Sequence, residues 1–344
     1  MQTIPNFPHE IKYLDAEEVN KIMQNYEGEH HKKIRIGPKG YLMPQRYLTQ
    51  AAAIYNMEVR PTDVYVCSFP RSGTTWTQEL VWMVANDLDY ATSNAVTLNK
   101  RYSFLELSAL GGQSKNTQMK NNEDYDDKLD VEWLLQPATE LLTQMKERRF
   151  VKSHLPMSLL PSNLLQAKVV YVARDPRDVA VSFYYMNKMF RGERYLGDMR
   201  TFWQLFVEDL VAWCPYFENL KEAWEKRYHP NMLFLFYEDL AKDLPAAVRR
   251  VSDFFGKQYT EEQITRLCDH LSIDSFKTNK SINCDIVALS KVGLFSPESS
   301  SSLIRKGRVG GWREYFDDEM SSQAEQWITH NLRDTDLRFP HFNL

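Results

Sequence analysis

One short stretch of this 344-residue chain constrains its fold more than any other. Residues 68–76 read Ser-Phe-Pro-Arg-Ser-Gly-Thr-Thr-Trp and separate two segments of different hydrophobic periodicity. The run before the turn, residues 64–67, is β-branched, aromatic and apolar, which is typical of a buried strand. After the turn, residues 76–84 carry apolar side chains at helical spacing. The sequence therefore predicts a strand, a tight turn and a helix in immediate succession.

The turn also has the composition of an anion-binding site. Backbone N–H groups at a helix N-terminus point at one spot and carry roughly half a positive charge there. Arg71 adds a full positive charge, and Ser72, Thr74 and Thr75 add hydroxyl groups. The P-loop of ATP- and GTP-hydrolysing enzymes has Gly-x-x-x-x-Gly-Lys-Ser/Thr, whereas this turn has one glycine, Gly73, and lacks the lysine. An ordinary helix cap remains the alternative for Ser-Gly-Thr alone.

Strands and helices alternate along the chain. Further strands are predicted over residues 149–152, 168–173 and 232–236, and helices over 45–55, 131–148, 202–228 and 246–255. This alternation is typical of a parallel sheet covered on both faces, whose ligands bind at the carboxyl ends of the strands. We therefore predict an α/β fold with a central, mainly parallel sheet flanked by helices and a P-loop-like anion-binding turn.

Two regions stand apart from this alternating pattern. Residues 1–60 are predicted to form an N-terminal extension that wraps the main domain, so that residues 1–344 form a single domain. Residues 111–130 are polar and acidic, which favours a mobile surface insertion. The insertion as a whole covers residues 111–149, and it carries Leu134 and two apolar neighbours on a helical pattern.

Composition excludes several function classes. The chain has 43% hydrophobic and 26% charged residues, which is ordinary for a globular protein. Its net charge of −4 argues against a general nucleic-acid surface. Four dispersed cysteines, without a Cys-x-x-Cys pair, indicate neither a metal site nor a disulfide framework. The N-terminus lacks the pattern of a secretory signal, and no apolar run reaches about 18 residues. We therefore expect a cytoplasmic protein without a membrane span.

A second motif follows the predicted strand 168–173. It reads Arg174-Asp-Pro-Arg-Asp178, with Ser182 about one helical turn into the next element. An arginine and a hydroxyl at the carboxyl end of a strand suit a phosphate monoester. A surface ion pair of Arg174 with Asp175 or Asp178 is the alternative.

A third motif, residues 305–313, reads Arg-Lys-Gly-Arg-Val-Gly-Gly-Trp-Arg. Its glycines allow backbone N–H groups to approach an anion closely, and its four cations neutralise one. In a chain of net charge −4, so basic a loop favours an anion site over a solvated surface.

A fourth motif, Lys152-Ser-His154-Leu-Pro, follows the predicted strand 149–152. An imidazole titrates near neutral pH and can accept the proton of a hydroxyl group. A solitary histidine is more often structural than catalytic, but the neighbouring motifs favour a catalytic His154. Lys152 adds positive charge beside it.

These four motifs resemble those of the cytosolic sulfotransferases, and their order over residues 60–312 is the family's order. The family motifs are Tyr/Phe-Pro-Lys-Ser-Gly-Thr-Thr-Trp, Lys-Thr/Ser-His-Leu-Pro, Tyr-x-x-Arg-Asp-Pro-x-Asp and Arg-Lys-Gly-x-x-Gly-Asp-Trp-Lys. This chain departs from them at Arg71 and Arg313, where the family has lysine, and at Gly311, where it has aspartate. It also has Asp317-Asp318 in place of the Thr-Val of the family's dimer motif, which implies a monomer or a dimer built differently.

The resemblance implies a role for each motif. The donor is 3′-phosphoadenosine 5′-phosphosulfate, and the catalytic residues are His154 as the base with Lys152 and Arg71 as cations. The 5′-phosphosulfate is bound by the turn, through Arg71, Ser72, Gly73, Thr74, Thr75 and Trp76. The 3′-phosphate is bound by Arg174, Ser182, Arg305, Lys306 and Gly307. Tyr237, Ser275 and Phe276 resemble the adenine-binding segments, and Phe104 resembles an aromatic wall of the acceptor pocket.

The implied reaction is transfer of a sulfuryl group to a hydroxyl of a small apolar acceptor, such as a phenol, a steroid-like molecule or another alcohol. No metal, nucleic acid or membrane is implied. The enlarged insertion 111–149 resembles that of insect members such as retinol dehydratase, in which sulfation drives loss of water, and it is a possible substrate lid. The alternatives are therefore such a dehydratase, a nucleotide phosphotransferase, or an adenine-nucleotide binder without catalysis.

Overall fold

The structure, a computed structural model, describes residues 2–27, 33–110, 134, 136–191, 193–282, 289–290, 293–296 and 307–340. Its strands are β1 (Gln2–Ile4), β2 (Phe7–Tyr13), β3 (Lys33–Ile36), β4 (Tyr41–Pro44), β5 (Val64–Cys67), β6 (Ser103–Phe104), β7 (Phe150–Ser153), β8 (Lys168–Ala173) and β9 (Met232–Phe236). The last five form one sheet in the order β6-β7-β5-β8-β9, in which every pairing is parallel. The predicted parallel sheet is confirmed.

Both faces of this sheet are buried. Tyr65 and Tyr171 belong to the larger hydrophobic cluster on one face, whereas Val66 and Val170 belong to a second cluster on the other. Successive residues of a strand point to opposite faces, so a strand covered on both sides must be apolar throughout. This explains why these strands appear in the sequence as continuous apolar runs.

Helices cover the two faces. They are α1 (Ala16–Met23), α2 (Ala51–Tyr55), α3 (Thr74–Ala85), α4 (Tyr90–Ala95), α5 (Leu98–Arg101), α6 (Leu107–Leu110), α7 (Ala138–Gln144), α8 (Pro176–Asn187), α9 (Met199–Val207), α10 (Tyr216–Glu225), α11 (Tyr237–Lys242), α12 (Leu244–Phe254), α13 (Glu261–His270), α14 (Ile273–Thr278) and α15 (Asp318–Leu332). Within the described part of the chain, no helix combines the length and apolar character needed to span a bilayer.

Three predicted helices differ from those observed. The helix predicted over 202–228 is wrong, because α9 and α10 are separated by a loop in which Asp209 and Trp213 have left-handed backbone. Pro215 then caps α10, and proline has no N–H to continue a preceding helix. The pattern over 131–148 contains only the seven-residue α7 within the described residues. The pattern over 45–55 begins as the 3₁₀ helix Gln45–Thr49 before α2.

The N-terminal extension forms its own antiparallel sheet, in the order β1-β2-β3-β4. β4 is joined to the α9–α10 loop, since Leu42 N donates to Cys214 O and Trp213 N donates to Leu42 O, both at 2.8 Å. Residues such as Ile34 and Tyr41 are buried in the same hydrophobic cluster as Tyr171 of the central sheet. The extension is therefore packed into the main core and supports the loop that carries Trp213.

Candidate active site

The β5–α3 turn has the backbone that its sequence requires. Gly73 has φ +98°, and a Cβ built on it would lie 2.5 Å from Cδ2 of Tyr237. Only glycine adopts such a backbone readily and fits such a contact. Arg71 also has positive φ, at 69°. The positive φ values of these two residues turn the chain sharply between the end of β5 and the start of α3. The N-terminus of α3 therefore lies at the carboxyl end of β5.

Hydroxyl groups surround this turn. Ser68 Oγ and Thr74 Oγ1 lie 2.6 Å apart, so one of them donates to the other. Ser72 is fully buried, and its Oγ has no hydrogen-bond partner among the described residues. A buried hydroxyl without a partner is unfavourable. The Ser72 hydroxyl is therefore a buried donor that the described residues leave unsatisfied.

The structure brings the second predicted motif onto the turn. Arg71 Nε donates to Ser182 Oγ at 3.0 Å, and Arg174 donates to the Arg71 carbonyl at 3.3 Å. The Arg174 guanidinium also lies over the Tyr237 ring, 4.3 Å from its centroid. Its Nε is buried without a hydrogen-bond partner among the described residues. Arg174 thus retains a donor for a ligand, although it contacts protein on several sides.

These residues line one cavity of about 240 Å³. The predicted site residues in its wall are Arg71, Gly73, Thr74, Thr75, Trp76, Phe104, Lys152, His154, Arg174, Ser182, Tyr237, Phe276 and Gly307. Two predicted residues are not in the wall. Ser72 is buried behind it, and the Ser275 hydroxyl donates to the Asp269 carbonyl at 2.8 Å at the start of α14. Arg305 and Lys306 lie outside the described residues.

Aromatic side chains form one end of the cavity. The Trp76 indole N–H donates to the Leu271 carbonyl at 2.9 Å, which fixes the ring. The Trp76 and Tyr237 rings are 5.5 Å apart at an angle of 62°. Phe276, 3% exposed, lines the same region. Such rings provide faces on which a purine base can stack.

The glycine-rich loop 307–312 is fastened by a residue that the sequence analysis did not select. Asp178 accepts hydrogen bonds from Gly310 N at 2.8 Å and from Trp312 N at 2.9 Å. Arg177 adds a cation–π contact, 4.1 Å from the Trp312 ring centroid. The Asp178 carboxylate thus holds the backbone of this loop on both sides of Gly311. Its position four residues after Arg174 was visible in the sequence, but its partners were not.

His154 lies at the end of β7 with its ring orientation fixed. Its Nδ1 is 2.9 Å from the Ser68 carbonyl oxygen. A carbonyl can only accept a hydrogen bond, so Nδ1 carries the ring proton and Nε2 is the acceptor nitrogen. Burial, followed by the charge of Lys152, lowers the pKa of His154 well below its usual value of 6.5. The imidazole is therefore neutral at neutral pH and can accept a proton.

Two aromatic rings flank the imidazole. Phe104 and Trp213 contact it edge to face, with centroids 5.3 and 6.0 Å from that of His154. The Lys152 ammonium lies over the Phe104 ring at 4.4 Å. Trp213 was missed by sequence analysis, because it lies within the segment predicted as one continuous helix. The imidazole therefore lies between two aromatic rings, with the Lys152 ammonium against one of them.

Beyond these rings, the cavity wall is apolar. Its members are Leu107, Leu110, Leu134, Met186, Phe190, Leu289, Leu294 and Phe295. Leu107, Leu134 and Leu294 form a small hydrophobic cluster of their own, separate from the two main ones. Of the predicted insertion 111–149, residues 111–133 and 135 lie outside the described residues, whereas Leu134 lies in the cavity wall. Within the described residues, no group of three metal-ligating side chains is close enough to hold a metal ion.

The sequence of this chain is similar to those of known sulfotransferases. The sulfotransferase domain family model matches residues 61–336. Luciferin sulfotransferase of Photinus pyralis is 30% identical over 305 residues, covering 87% of this chain and 79% of that protein. Human sulfotransferase 1E1 is 28% identical over 302 residues, covering 87% of this chain and 94% of that protein.

Solved structures of retinol dehydratase resemble the whole chain. One, in complex with androsterone and the inactive cofactor PAP, has a TM-score of 0.86 and 42% identity, covering 98% of this chain and all of that one. Another, in complex with retinol and PAP, has the same score and identity and covers 97% of this chain. The family model spans the strand-end motifs that converge on the cavity, and the chain therefore belongs to the sulfotransferase family.

Proposed function

We propose that this sulfotransferase moves a sulfuryl group from 3′-phosphoadenosine 5′-phosphosulfate to the single hydroxyl of an elongated apolar alcohol. One observation carries the proposal. The cavity that the phosphate-binding motifs share with His154 continues into a wall of leucine, phenylalanine and methionine side chains. The donor and the acceptor would then meet at the imidazole.

The residues present fit the donor. Arg174 lines the cavity, and its Nε is a buried donor without a protein partner among the described residues. Arg71 and the N-terminus of α3 would hold the 5′-phosphosulfate, with the hydroxyls of Thr74 and Thr75. Arg174 and Ser182 would hold the 3′-phosphate, beside the start of the loop at Gly307, and we assign Arg305 and Lys306 to the same phosphate by resemblance. The adenine would stack among Trp76, Tyr237 and Phe276.

The chemistry follows from charge and geometry. The acceptor oxygen forms the new S–O bond as its proton passes to Nε2 of His154, and the bond to the phosphate oxygen of the donor breaks. Negative charge grows on the sulfuryl and leaving oxygens, and Lys152 and Arg71 lie where they would stabilise it. Holding both reactants in line supplies most of the remaining rate enhancement.

The acceptor class is argued from the apolar wall. Each buried methylene group stabilises a complex by about 0.8 kcal/mol, so two additional carbons improve binding about tenfold. A polar group at the far end would lose its water without gaining a partner, at a cost of about 1–3 kcal/mol. We therefore expect a ten-carbon monohydroxy alcohol to exceed its six-carbon analogue by about 100-fold in kcat/KM.

Incubation with radiolabelled donor and an alcohol series tests this selectivity. The matched control is the ten-carbon diol that carries a second hydroxyl at its far end, for which we expect kcat/KM at least about tenfold below that of the mono-alcohol. Equal values for the mono-alcohol and the diol would refute the acceptor class. If no acceptor receives label while the desulfated nucleotide still binds, the proposed sulfuryl transfer is refuted. That result would support a nucleotide-binding protein without catalysis.

A second candidate is sulfation-driven dehydration of an allylic alcohol. It is favoured by 42% identity to retinol dehydratase along nearly the full chain and by the aromatic residues Trp213, Phe190 and Phe295 in the cavity wall, since aromatic rings can stabilise a cation. Loss of sulfate from an allylic ester leaves such a carbocation, and loss of a proton then gives the alkene. Mass spectrometry of the products distinguishes the two, because a stable sulfate ester excludes the dehydratase and an alkene with free sulfate supports it.

The fastening of the glycine-rich loop gives a further test. Replacing Asp178 with alanine removes the acceptor of two backbone N–H groups, and we expect affinity for 3′-phosphoadenosine 5′-phosphate to fall about tenfold in titration calorimetry. The control is Asp318→Ala, at an exposed position of α15. Unchanged affinity of the Asp178 variant would show that the nucleotide site does not depend on this loop.

We further propose a single domain, a cytoplasmic location and an assembly that does not use the family's dimer motif. The shared core of the N-terminal and central sheets supports the first point. Asp317 caps α15 by accepting from Met320 N at 2.9 Å and pairs with Arg200. A charged pair at this position does not provide the small apolar contact of that motif.

A further inference from the structure

Glu106 is a buried carboxyl group behind the proton acceptor. It is fully buried, and it lies just beyond β6, two residues after Phe104. The parallel ladder between β6 and β7 ends at the hydrogen bond from Leu105 N to the Lys152 carbonyl, at 2.9 Å. Glu106 therefore lies between Phe104, the proposed aromatic wall of the acceptor pocket, and the proposed catalytic residues Lys152 and His154 at the end of β7.

The Glu106 side chain adds two hydrogen bonds to β7 and the following turn, beyond the last backbone pair of this ladder. One oxygen accepts from His154 N at 2.7 Å, and the other accepts from Ser153 Oγ at 2.8 Å. Ser153 Oγ in turn accepts from Leu155 N at 3.1 Å. A single carboxyl group thus organises three consecutive residues at the turn that presents the imidazole.

These bonds complete the fixation of His154. Its ring is held by the Ser68 carbonyl, and its own carbonyl accepts from Asn219 Nδ2 at 3.4 Å. Among the residues that the structure describes, Glu106 is the acceptor of its backbone N–H. Without that acceptor the N–H is left buried and unpaired, and the local backbone must shift to reach another partner.

We propose that Glu106 is a positioning residue, which locks the proton acceptor His154 in register with the Phe104 wall of the acceptor pocket. The inference rests on the proposed role of His154. It goes beyond that role because Glu106 does not line the cavity and acts on His154 through the main chain. Its ionised form is the effective one, since hydrogen bonds to a charged acceptor are about twice as strong as those to a neutral one.

The charge state of this carboxyl group is sensitive near neutral pH. Burial raises the pKa of Glu106 to about 7, opposed by its hydrogen bonds with His154 N and Ser153 and by the charge of Lys152. The titratable groups that face it are Tyr47 from the 3₁₀ helix, Cys67 from β5, and Lys152 and His154 from β7. Above pH 7 the carboxylate is ionised and both bonds are charge-assisted, and below pH 7 that charge is lost.

An acid limb of kcat near pH 7 should therefore belong to Glu106. The pKa of His154 is lowered well below 6.5, so protonation of the imidazole occurs at lower pH. Glutamine at position 106 can accept from His154 N and donate to Ser153 Oγ, as the protonated carboxyl group does. We expect E106Q to have a pH-independent kcat between pH 6 and 8, about fivefold to tenfold below wild type at pH 8 and within about twofold of it near pH 6.

The experiment measures kcat and acceptor KM from pH 5.5 to 8.5, with calorimetric affinity for 3′-phosphoadenosine 5′-phosphate. E106A should lose about 100-fold in kcat with nucleotide affinity within about twofold of wild type, and the exposed Glu140→Gln should match wild type throughout. An unchanged acid limb in E106Q, or equal losses of turnover and nucleotide affinity in E106A, would overturn the proposal. If E106A fails to fold, the E106Q profile still decides. A His154→Ala variant with wild-type turnover would instead contradict the proposed general base. It would not contradict the proposed sulfuryl transfer by the wild-type protein.

Discussion

His154→Ala is expected to lower the turnover number about 10²- to 10⁴-fold, the usual contribution of a positioned general base. The structure explains why the loss should appear in chemistry and not in binding. The imidazole is neutral at neutral pH because burial lowers its pKa, and its Nδ1 is engaged by Ser68. Nε2 therefore remains to take the acceptor proton, and alanine offers no substitute.

Single-turnover measurements with labelled donor would report the chemical step, and calorimetry with the desulfated nucleotide would report binding. The matched control is His330→Ala, at an exposed position of α15. We expect the control to match wild type in both assays. Wild-type turnover in the His154 variant would exclude a general-base role.

Gly73→Ala is expected to have the second large effect, on nucleotide affinity and on stability together. An alanine Cβ would stand 2.5 Å from Tyr237 in a backbone with φ +98°. The strained backbone costs about 1–2 kcal/mol, and the overlap costs about 1–3 kcal/mol more. Tyr237 must move to relieve the overlap, and it carries with it the ring face on which Arg174 rests. We expect affinity for the nucleotide to fall at least about tenfold, and the free energy of unfolding to fall by about 2–4 kcal/mol.

Gly256 provides the control for this variant. It also has positive φ, at 65°, but no atom lies within 4 Å of a Cβ built on it. Gly256→Ala should therefore lose about 1–2 kcal/mol of stability to backbone strain and leave nucleotide affinity unchanged. Chemical denaturation and calorimetry of the two variants separate strain from overlap. Equal nucleotide affinities in both variants would contradict the assigned role of the Gly73 turn.

The strands of the central sheet and the Gly73 turn were predictable because the patterns that specify them are local. β8 and β9 have the predicted bounds, 168–173 and 232–236, since strands buried on both faces are apolar throughout and end where polar residues begin. The Gly73 turn was predictable because a strand, a glycine and a helix start follow one another within a few residues. Local backbone preferences are enough to encode such units.

Elements that depend on distant partners were not predictable. The break between α9 and α10 occurs where apolar side chains continue at helical spacing, and the loop there is held by hydrogen bonds to Leu42 of β4. The N-terminal sheet was expected only as a wrapping extension, because β2 and β3 pair across the intervening helix α1 and no local pattern marks that pairing. In both cases tertiary packing overrode the local pattern.

The sequence by itself determined the chemistry of this protein. Charged residues and hydroxyls follow strand ends in recognisable motifs, and in a parallel sheet all such ends meet at one edge. Tertiary structure alone decided how that chemistry is held in place. Glu106 and His154 are 48 residues apart, and Asp178 and Gly310 are 132 apart, so no local pattern marks either hydrogen bond. Motifs indicate which groups are candidates for the chemistry, whereas buried partners from distant elements become visible only when the chain has folded.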